Sequence, residues 1–458
     1  MREGLIETYI KAVRRLLPSP FTIALILTGF TLVLVLVKQV VGSGTFQPLT
    51  TIEWWSSGLW NVGLIVFAFQ MMLMLVLGHI LALSPSVDRL IQRVLKYCTT
   101  SANSAALVAF STMFVGLFNW GLALIFGAIF AYKVGKKAET EGLAINYPLV
   151  GAAGYSGLMI WHGGLSGSSL IKVAEPGHLA GLMGDSYQTI LPNMISLGST
   201  VFSWMNIVCS ILLLVVVPFT MYWLGKRTHS EIPSFSKLPE EIPKEETQIG
   251  AERFDNARVV SLIAGLFVLI AVVVEGIKTE GEILNFFNPN NINLLLLALC
   301  LVSHRSINAF LKAAEEAISG ASGILIQFPL YFGILALMNQ SGLITNISDF
   351  FISISNEWTY PILTFISAGL VNIFVPSGGG QWAIQGPIII QSSLELGVPL
   401  NKSILALAYG DQITNMLQPF WALPLLGITK LKARDILPYT LVIFLAGSLV
   451  FLTVLLLF

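Results

Sequence analysis

The stretch "VNIFVPSGGGQWAIQGPIII", residues 371 to 390, sets a proline, a serine and three consecutive glycines between two strongly apolar runs. Its surroundings decide how it is read. The 458 residues are 55% hydrophobic and 11% charged, and long apolar runs recur from Phe21 to Phe458. Such a chain belongs in a lipid bilayer. In hydrocarbon every backbone amide must be bonded within the protein, so runs of this length are helices, and a broken backbone at membrane depth is tolerated only where protein or water covers it. The stretch therefore predicts two half-helices, Pro361 to Val375 and Trp382 to Leu396, that meet at a buried tip.

Charge orients the chain. Basic residues cluster before the first run, at Arg89, Arg93 and Lys96, in the long polar segment beginning "GKRTHSEIP", at Arg305 and Lys312, and in "TKLKARD". These loops should be cytoplasmic, as should the N-terminus. Residues 1 to 20 carry Arg2, Lys11, Arg14 and Arg15 ahead of a full-length span, which reads as no cleavable signal peptide. If the run from 105 to 132 crossed the membrane, Lys133, Lys136 and Lys137 would land outside. A hairpin removes the conflict: "FVGLFNWGLALIFG" breaks at Asn119, Trp120 and Gly121, and the fourteen residues from Ala105 to Phe118 make about 21 Å of helix against a core of about 30 Å.

The two breaks look related. Gln70 and Gln327 each stand 49 residues ahead of a break, at Asn119 and Pro376, and a "GLAIN" or "GVPLN" motif follows each hairpin at 142–146 and 397–401. Each motif opens a span rich in small residues, "GAAGYSG" from 151 and "LALAYGD" from 405. The expected fold is an all-α polytopic membrane protein of about nine full crossings plus two re-entrant hairpins, arranged as two inverted repeats. The first repeat covers 1–225 with its hairpin near 105–132, a cytoplasmic linker covers 226–257, a linking helix covers 258–276, and the second repeat covers 277–458 with its hairpin near 360–396.

Such breaks suit small anions, because the helix after each one aims free N–H groups and a positive dipole end at the tip. Ser377 offers a hydroxyl, Gly378, Gly379 and Gly380 allow close approach to backbone, and Gln381 adds an amide. Asn119 supplies a carboxamide, Trp120 and Trp382 wall a cavity, and Gly121 permits the turn. His162 and Ser166 lie in "HGGLSGSS", which ends the first small-residue span and adds candidate substrate contacts. Asp411, with Gln412 and Asn415, follows the second hairpin, and an acid at membrane depth is functional by default. It could carry a proton or ligate sodium; the residues leave that choice open. Gln70 and Gln327 are either cavity-lining or packing amides. Trp54, Trp55, Trp60, Trp223 and Trp358 read as interfacial anchors.

A formal net charge of zero gives nucleic acid no footing. Cys98, Cys209 and Cys300 are too scattered for a disulfide framework or a metal site. The Gly-Leu-Ser-Gly at 164–167 matches an intramembrane serine protease motif, but the paired breaks would have no purpose in such an enzyme. A channel and a carrier use the same backbone chemistry at their tips.

"NIFVPSGGGQWAIQGP" at 372–387, "AYGDQITNMLQPFWALP" at 408–424, "FNWG" at 118–121 and "SGILIQFPLYFGI" at 322–334 together resemble the short-chain fatty acid transporter family along essentially the whole chain. That resemblance implies uptake of small carboxylates such as butyrate or acetoacetate across the bacterial cytoplasmic membrane, with another small organic anion, such as a dicarboxylate, as the alternative. It implies no catalysis and no cofactor beyond a coupling sodium ion or proton. It also implies elevator-like movement of a domain holding the hairpins, against a scaffold that could form a homodimer.

Overall fold

The computed structural model describes residues 20–184, 187, 189–234, 250–279, 286–374, 378–418 and 421–458. Pro376 and Ser377 lie outside them, as do the first nineteen residues and residues 235–249 of the linker. Among the described residues the chain is helical, apart from one isolated bridge between Ile145 and Glu231.

The first half runs α1 (Pro20–Ser43), α2 (Pro48–Leu59), α3 (Val62–Ala82), α4 (Pro85–Leu95), α5 (Ser101–Phe118), α6 (Trp120–Glu141), α7 (Tyr147–Tyr155), short α8 (Ser168–Lys172) and α9 (His178–Met183), then α10 (Trp204–Arg227). The second half runs α11 (Glu252–Asn256), α12 (Arg258–Ile277), α13 (Pro289–Ser303), α14 (Ile307–Gln340), α15 (Leu343–Ile354), α16 (Tyr360–Phe374), α17 (Gly378–Leu396), α18 (Leu400–Thr414), α19 (Leu423–Thr429) and α20 (Ala433–Leu457). Polar side chains start these helices by accepting the free amides of the first turn. Thr100 does so for α5, Asn119 for α6, Asn146 for α7, Ser203 for α10 and Ser306 for α14.

Among the described residues six helices are long and apolar enough to cross a membrane: residues 24–42, α3, α5, α10, α12 and α20. Large apolar side chains cover the outside of α1 and α12, among them Phe30, Val33, Ile263, Phe267 and Ile270. In water such surface would be a liability; in lipid it is the solvated face.

The order of elements repeats. A long helix (α3, α14), a shorter one (α4, α15), a helix pair (α5–α6, α16–α17) and a helix ending in a 3-10 turn (α7 into Ser156–Met159, α18 into Asn415–Leu417) follow one another in both halves. Within each set the terminal helix packs on both members of the preceding pair.

Both pairs return toward where they began. At the first, Ser101 Oγ accepts from Asn146 N–H at 2.7 Å, and Lys137 Nζ donates to the Leu95 carbonyl at 3.0 Å. Lys133 pairs with Asp88 on α4. Ile145 N–H donates to Glu231 O at 2.9 Å, and Tyr147 Oη donates to the Thr429 carbonyl at 2.9 Å. The basic residues of 89–96, 133–137, 226–227 and 430–434 thus share one face. The 24 residues of α10 carry the chain about 36 Å from that face. At the far end, Asn401 Nδ2 donates to Ser199 O at 3.1 Å, beyond α17, and Tyr360 Oη donates to Ile389 O at 3.2 Å.

The arms differ from expectation in length. Helix α5 begins at Ser101 because Thr100 caps it, which gives eighteen residues and about 27 Å. Helix α6 continues through the lysines to Glu141, where Gly142 turns out at φ +66°. Helix α17 begins at Gly378, so the glycines form its first turn instead of a loop before it. Of the tryptophans read as anchors, Trp60, Trp223 and Trp358 are exposed, whereas the indole N–H of Trp55 is buried and the ring packs on Gly333 of α14.

Candidate functional site

Between the two breaks lies a small cavity of about 30 Å³, room for one or two water molecules. Trp120, Trp161, Trp421, Phe328, Leu158 and Met71 make its apolar wall; Gly378, Gly379, Ser168, Asp411 and Asn415 make the rest. A larger cavity of about 400 Å³ between α1, α14, α15 and the α16–α17 pair contains none of the expected site residues and no charged side chain. Its Thr31 and Ser367 hydroxyls donate to carbonyls of their own helices, Leu27 and Thr364. It offers a carboxylate no positive charge.

The glycines at the start of α17 are there for proximity. A Cβ on Gly378 would come within 2.9 Å of His162 Nε2 and of the Trp161 ring, one on Gly379 within 2.8 Å of Phe67, and one on Gly380 within 2.6 Å of Tyr331. Without side chains, the first turn of a nineteen-residue helix is brought against rings from both halves, its N-terminal amides beside the cavity. Gln381 turns away, donating to Ala368 O at 2.8 Å and to Gln385 Oε1 at 2.7 Å. Trp382 is buried and its indole N–H donates to His178 Nε2 at 2.9 Å.

The break at Asn119 is built differently. Asn119 Oδ1 accepts from Leu122 N–H at 2.7 Å while its Nδ2 donates to Met74 O at 3.3 Å. The Ser166 hydroxyl accepts from Trp120 N–H at 2.9 Å. Gly121 abuts the α3 backbone, where a Cβ would lie 2.9 Å from Leu75 O. Of these residues only Trp120 reaches the cavity, its ring tilted against Trp161 at 5.7 Å and edge-on to Trp421 at 5.4 Å between ring centroids.

His162 and Asp411 are fully buried neighbours. His162 lies on a 3-10 turn, Trp161–Gly163, where its backbone N–H donates to Gln412 Oε1 at 2.9 Å and its ring stacks on Trp161. Its Nδ1 is 3.2 Å from Ala408 O and 3.5 Å from Asp411 Oδ2. A carbonyl only accepts, so the Ala408 contact assigns a proton to Nδ1 and leaves Nε2 an acceptor. Nε2 and Asp411 Oδ2 both lack a hydrogen-bond partner among the described residues. Asn415 Oδ1 accepts from Asn372 Nδ2 at 3.0 Å, and that amide also donates to Asp411 O at 2.7 Å.

Uncommitted buried acceptors call for a cation or a proton. Among the described residues no group of three His, Cys, Asp or Glu could hold a metal ion. A hard cation would instead use Asp411 with neutral oxygens. Asn372 Oδ1 and Gln418 Oε1 are buried and likewise unbonded among the described residues. Asn372, Gln418, Trp161, Trp421 and Ser168 were not among the expected site residues. A lone Asn within the apolar run at 360–375 carried the same signal as Asp411.

The chain matches the family described as "Short chain fatty acid transporter" over residues 2–458. A relative from Escherichia coli strain K12, provisionally named a short-chain fatty acid transporter, is 36% identical over 457 residues, 97% of each chain. One from Haemophilus influenzae with the same name is 35% identical over 93% of each. Among solved structures, the Alcanivorax borkumensis YdaH transporter is similar over 95% of this chain and 98% of its own, with a TM-score of 0.55 at 16% identity. Neisseria gonorrhoeae MtrF, described with a class of antimetabolite efflux pumps, matches over 97% and 96% with a TM-score of 0.58 at 13% identity. At such identities the two structures speak for the fold, an all-helical transporter architecture in the membrane.

Proposed function

We propose that this chain, which belongs to the short-chain fatty acid transporter family, is a secondary carrier of short-chain monocarboxylates, of the butyrate and acetoacetate type, coupled to a cation. The observation that carries this reading is the first turn of α17, stripped of side chains and set against a cavity that also holds Asp411. The backbone at Gly378 and Gly379, at a helix start beside the cavity, suits a carboxylate, while Trp120, Trp161 and Trp421 suit a short alkyl tail. Even butyrate is larger than the one or two waters this cavity holds, so the aromatic rings must part to admit it, and further for a longer tail. The cation, sodium or a proton, sits at Asp411, where it offsets the negative charge of the substrate.

In this reading α5–α6 and α16–α17 are re-entrant hairpins of two inverted repeats, with the basic face cytoplasmic and the membrane the bacterial inner one. The shared basic face and the parallel order of elements support it. Gathered around α7 and α18, the hairpins move as one body against a scaffold drawn from the remaining helices, through which two copies pair. Asn119 acts here as the cap of α6, and substrate contact falls to Trp120 on that side. Ser377, outside the described residues, remains the hydroxyl closest in sequence to the anion-facing turn.

Purified protein in liposomes, given separate sodium and proton gradients, tests the proposal. Wild-type vesicles should accumulate labelled butyrate under one of them. Asp411→Asn should abolish accumulation while leaving the protein folded, and Ser377→Ala should weaken it. Unchanged accumulation and gradient dependence in Asp411→Asn would refute the coupling role.

A further inference from the structure

Among the described residues, Lys172 is the only Lys or Arg that is buried. It ends α8 one helical turn beyond Ser168, which lines the cavity. Its ammonium pairs with Glu175 Oε2, donates to Gln70 Oε1 at 3.0 Å, and sits 5.5 Å from the centre of the Phe67 ring. That ring is the one a Cβ on Gly379 would strike. One aromatic ring therefore separates a buried cation from the anion-facing turn. The Gln70 amide closes the cluster, donating to Glu175 Oε1 at 3.3 Å and to Asn290 Oδ1 at 2.9 Å.

The cluster lies away from the basic face. Just past Lys172, Val173 O accepts from Ile195 N–H at 2.8 Å, and Gly177 N–H donates to Asn193 O at 2.9 Å. The 193–199 segment precedes α10 at the end opposite Arg227. The Glu175 side chain is 21% exposed, against 6% for that of Lys172, so the carboxylate can turn to water while the ammonium cannot.

Resting on the monocarboxylate reading above, we infer that Lys172 is the docking cation for substrate on the side away from the basic face, and that Glu175 holds its place until a substrate carboxylate displaces it. A buried ion pair contributes little to stability relative to an apolar pair of similar volume, so a charged lysine kept at this depth calls for another role. The resident anion has the same functional group as the cargo. When cargo takes its place on the ammonium, Phe67 is the barrier left before Gly379.

Initial rates of butyrate uptake into proteoliposomes test this. Glu175→Gln removes the competing carboxylate and should lower the butyrate KM several-fold. Lys172→Gln should raise it about tenfold or more, and Lys172→Gln combined with Glu175→Gln should behave like Lys172→Gln alone. Lys172→Arg keeps the charge and should stay near wild type. A purely structural pair gives another pattern: Glu175→Gln raises KM or lowers the folded yield as Lys172→Gln does, and the double variant recovers. That pattern, or a KM unmoved in all variants, overturns the inference alone. Absence of butyrate uptake by wild-type vesicles overturns the functional reading and this inference with it.

Discussion

The two breaks share a form in the sequence and differ in what surrounds them. After Asn119, the chain satisfies the free amides itself: the Asn119 side chain takes Leu122 N–H and the Ser166 hydroxyl takes Trp120 N–H. At Gly378, three residues without side chains bring α17 against His162, Phe67 and Tyr331, and Gly378 and Gly379 line the cavity. In the reading proposed above, one break is a joint and the other a receptor.

The contrast is open to attack by mutation. The largest effect should come from valine at the two glycines. Gly378→Val forces a side chain onto His162 and Trp161, and butyrate uptake should fall about a hundredfold or more while the protein still folds, with a melting temperature lowered by the overpacking. Gly121→Val drives a Cβ into Leu75 backbone, so it should instead cut folded yield. If the two variants fail alike, the distinction between joint and receptor is wrong. A smaller effect is expected at the cap. Asn119→Ala should cost about 1–2 kcal/mol of stability, seen as a lower melting temperature, with Asn119→Ser recovering part of it and the KM for butyrate nearly unchanged. A large rise in KM would return Asn119 to the substrate. The smallest should be Trp382→Phe, which deletes one hydrogen bond to His178 and should cost about 1 kcal/mol with little change in transport.

Much of this was legible beforehand. The first break was located from charge, since Lys133, Lys136 and Lys137 would otherwise land outside, and the second from the Pro-Ser-Gly-Gly-Gly run, whose glycines proved to open α17. The arm lengths were not. Hydropathy ends a helix where polarity begins, yet Thr100 starts α5 four residues before the apolar run, and α6 carries three lysines whose ammonium groups find Asp88, Glu139 and the Leu95 carbonyl. The depth of Asp411 was legible because it interrupts an otherwise uncharged run. Lys172 was not, because "SSLIKVAEP" reads as the edge of a span, and only the folded chain shows α8 turned inward. The three-residue spacing to Glu175 was the available hint. His162 was placed at a span end, whereas it lies at the centre, since α7 stops at Tyr155 and two 3-10 turns carry the chain across the interior.

One consequence of the aromatic wall lies outside transport itself. Trp120, Trp161 and Trp421 surround the cavity, Trp382 stands just behind the glycine turn, and none of the four is an exposed residue. Any motion that admits water or cargo changes the polarity around several indoles at once. The carrier thus has a native optical reporter of its own cycle, readable by ultraviolet emission without a label.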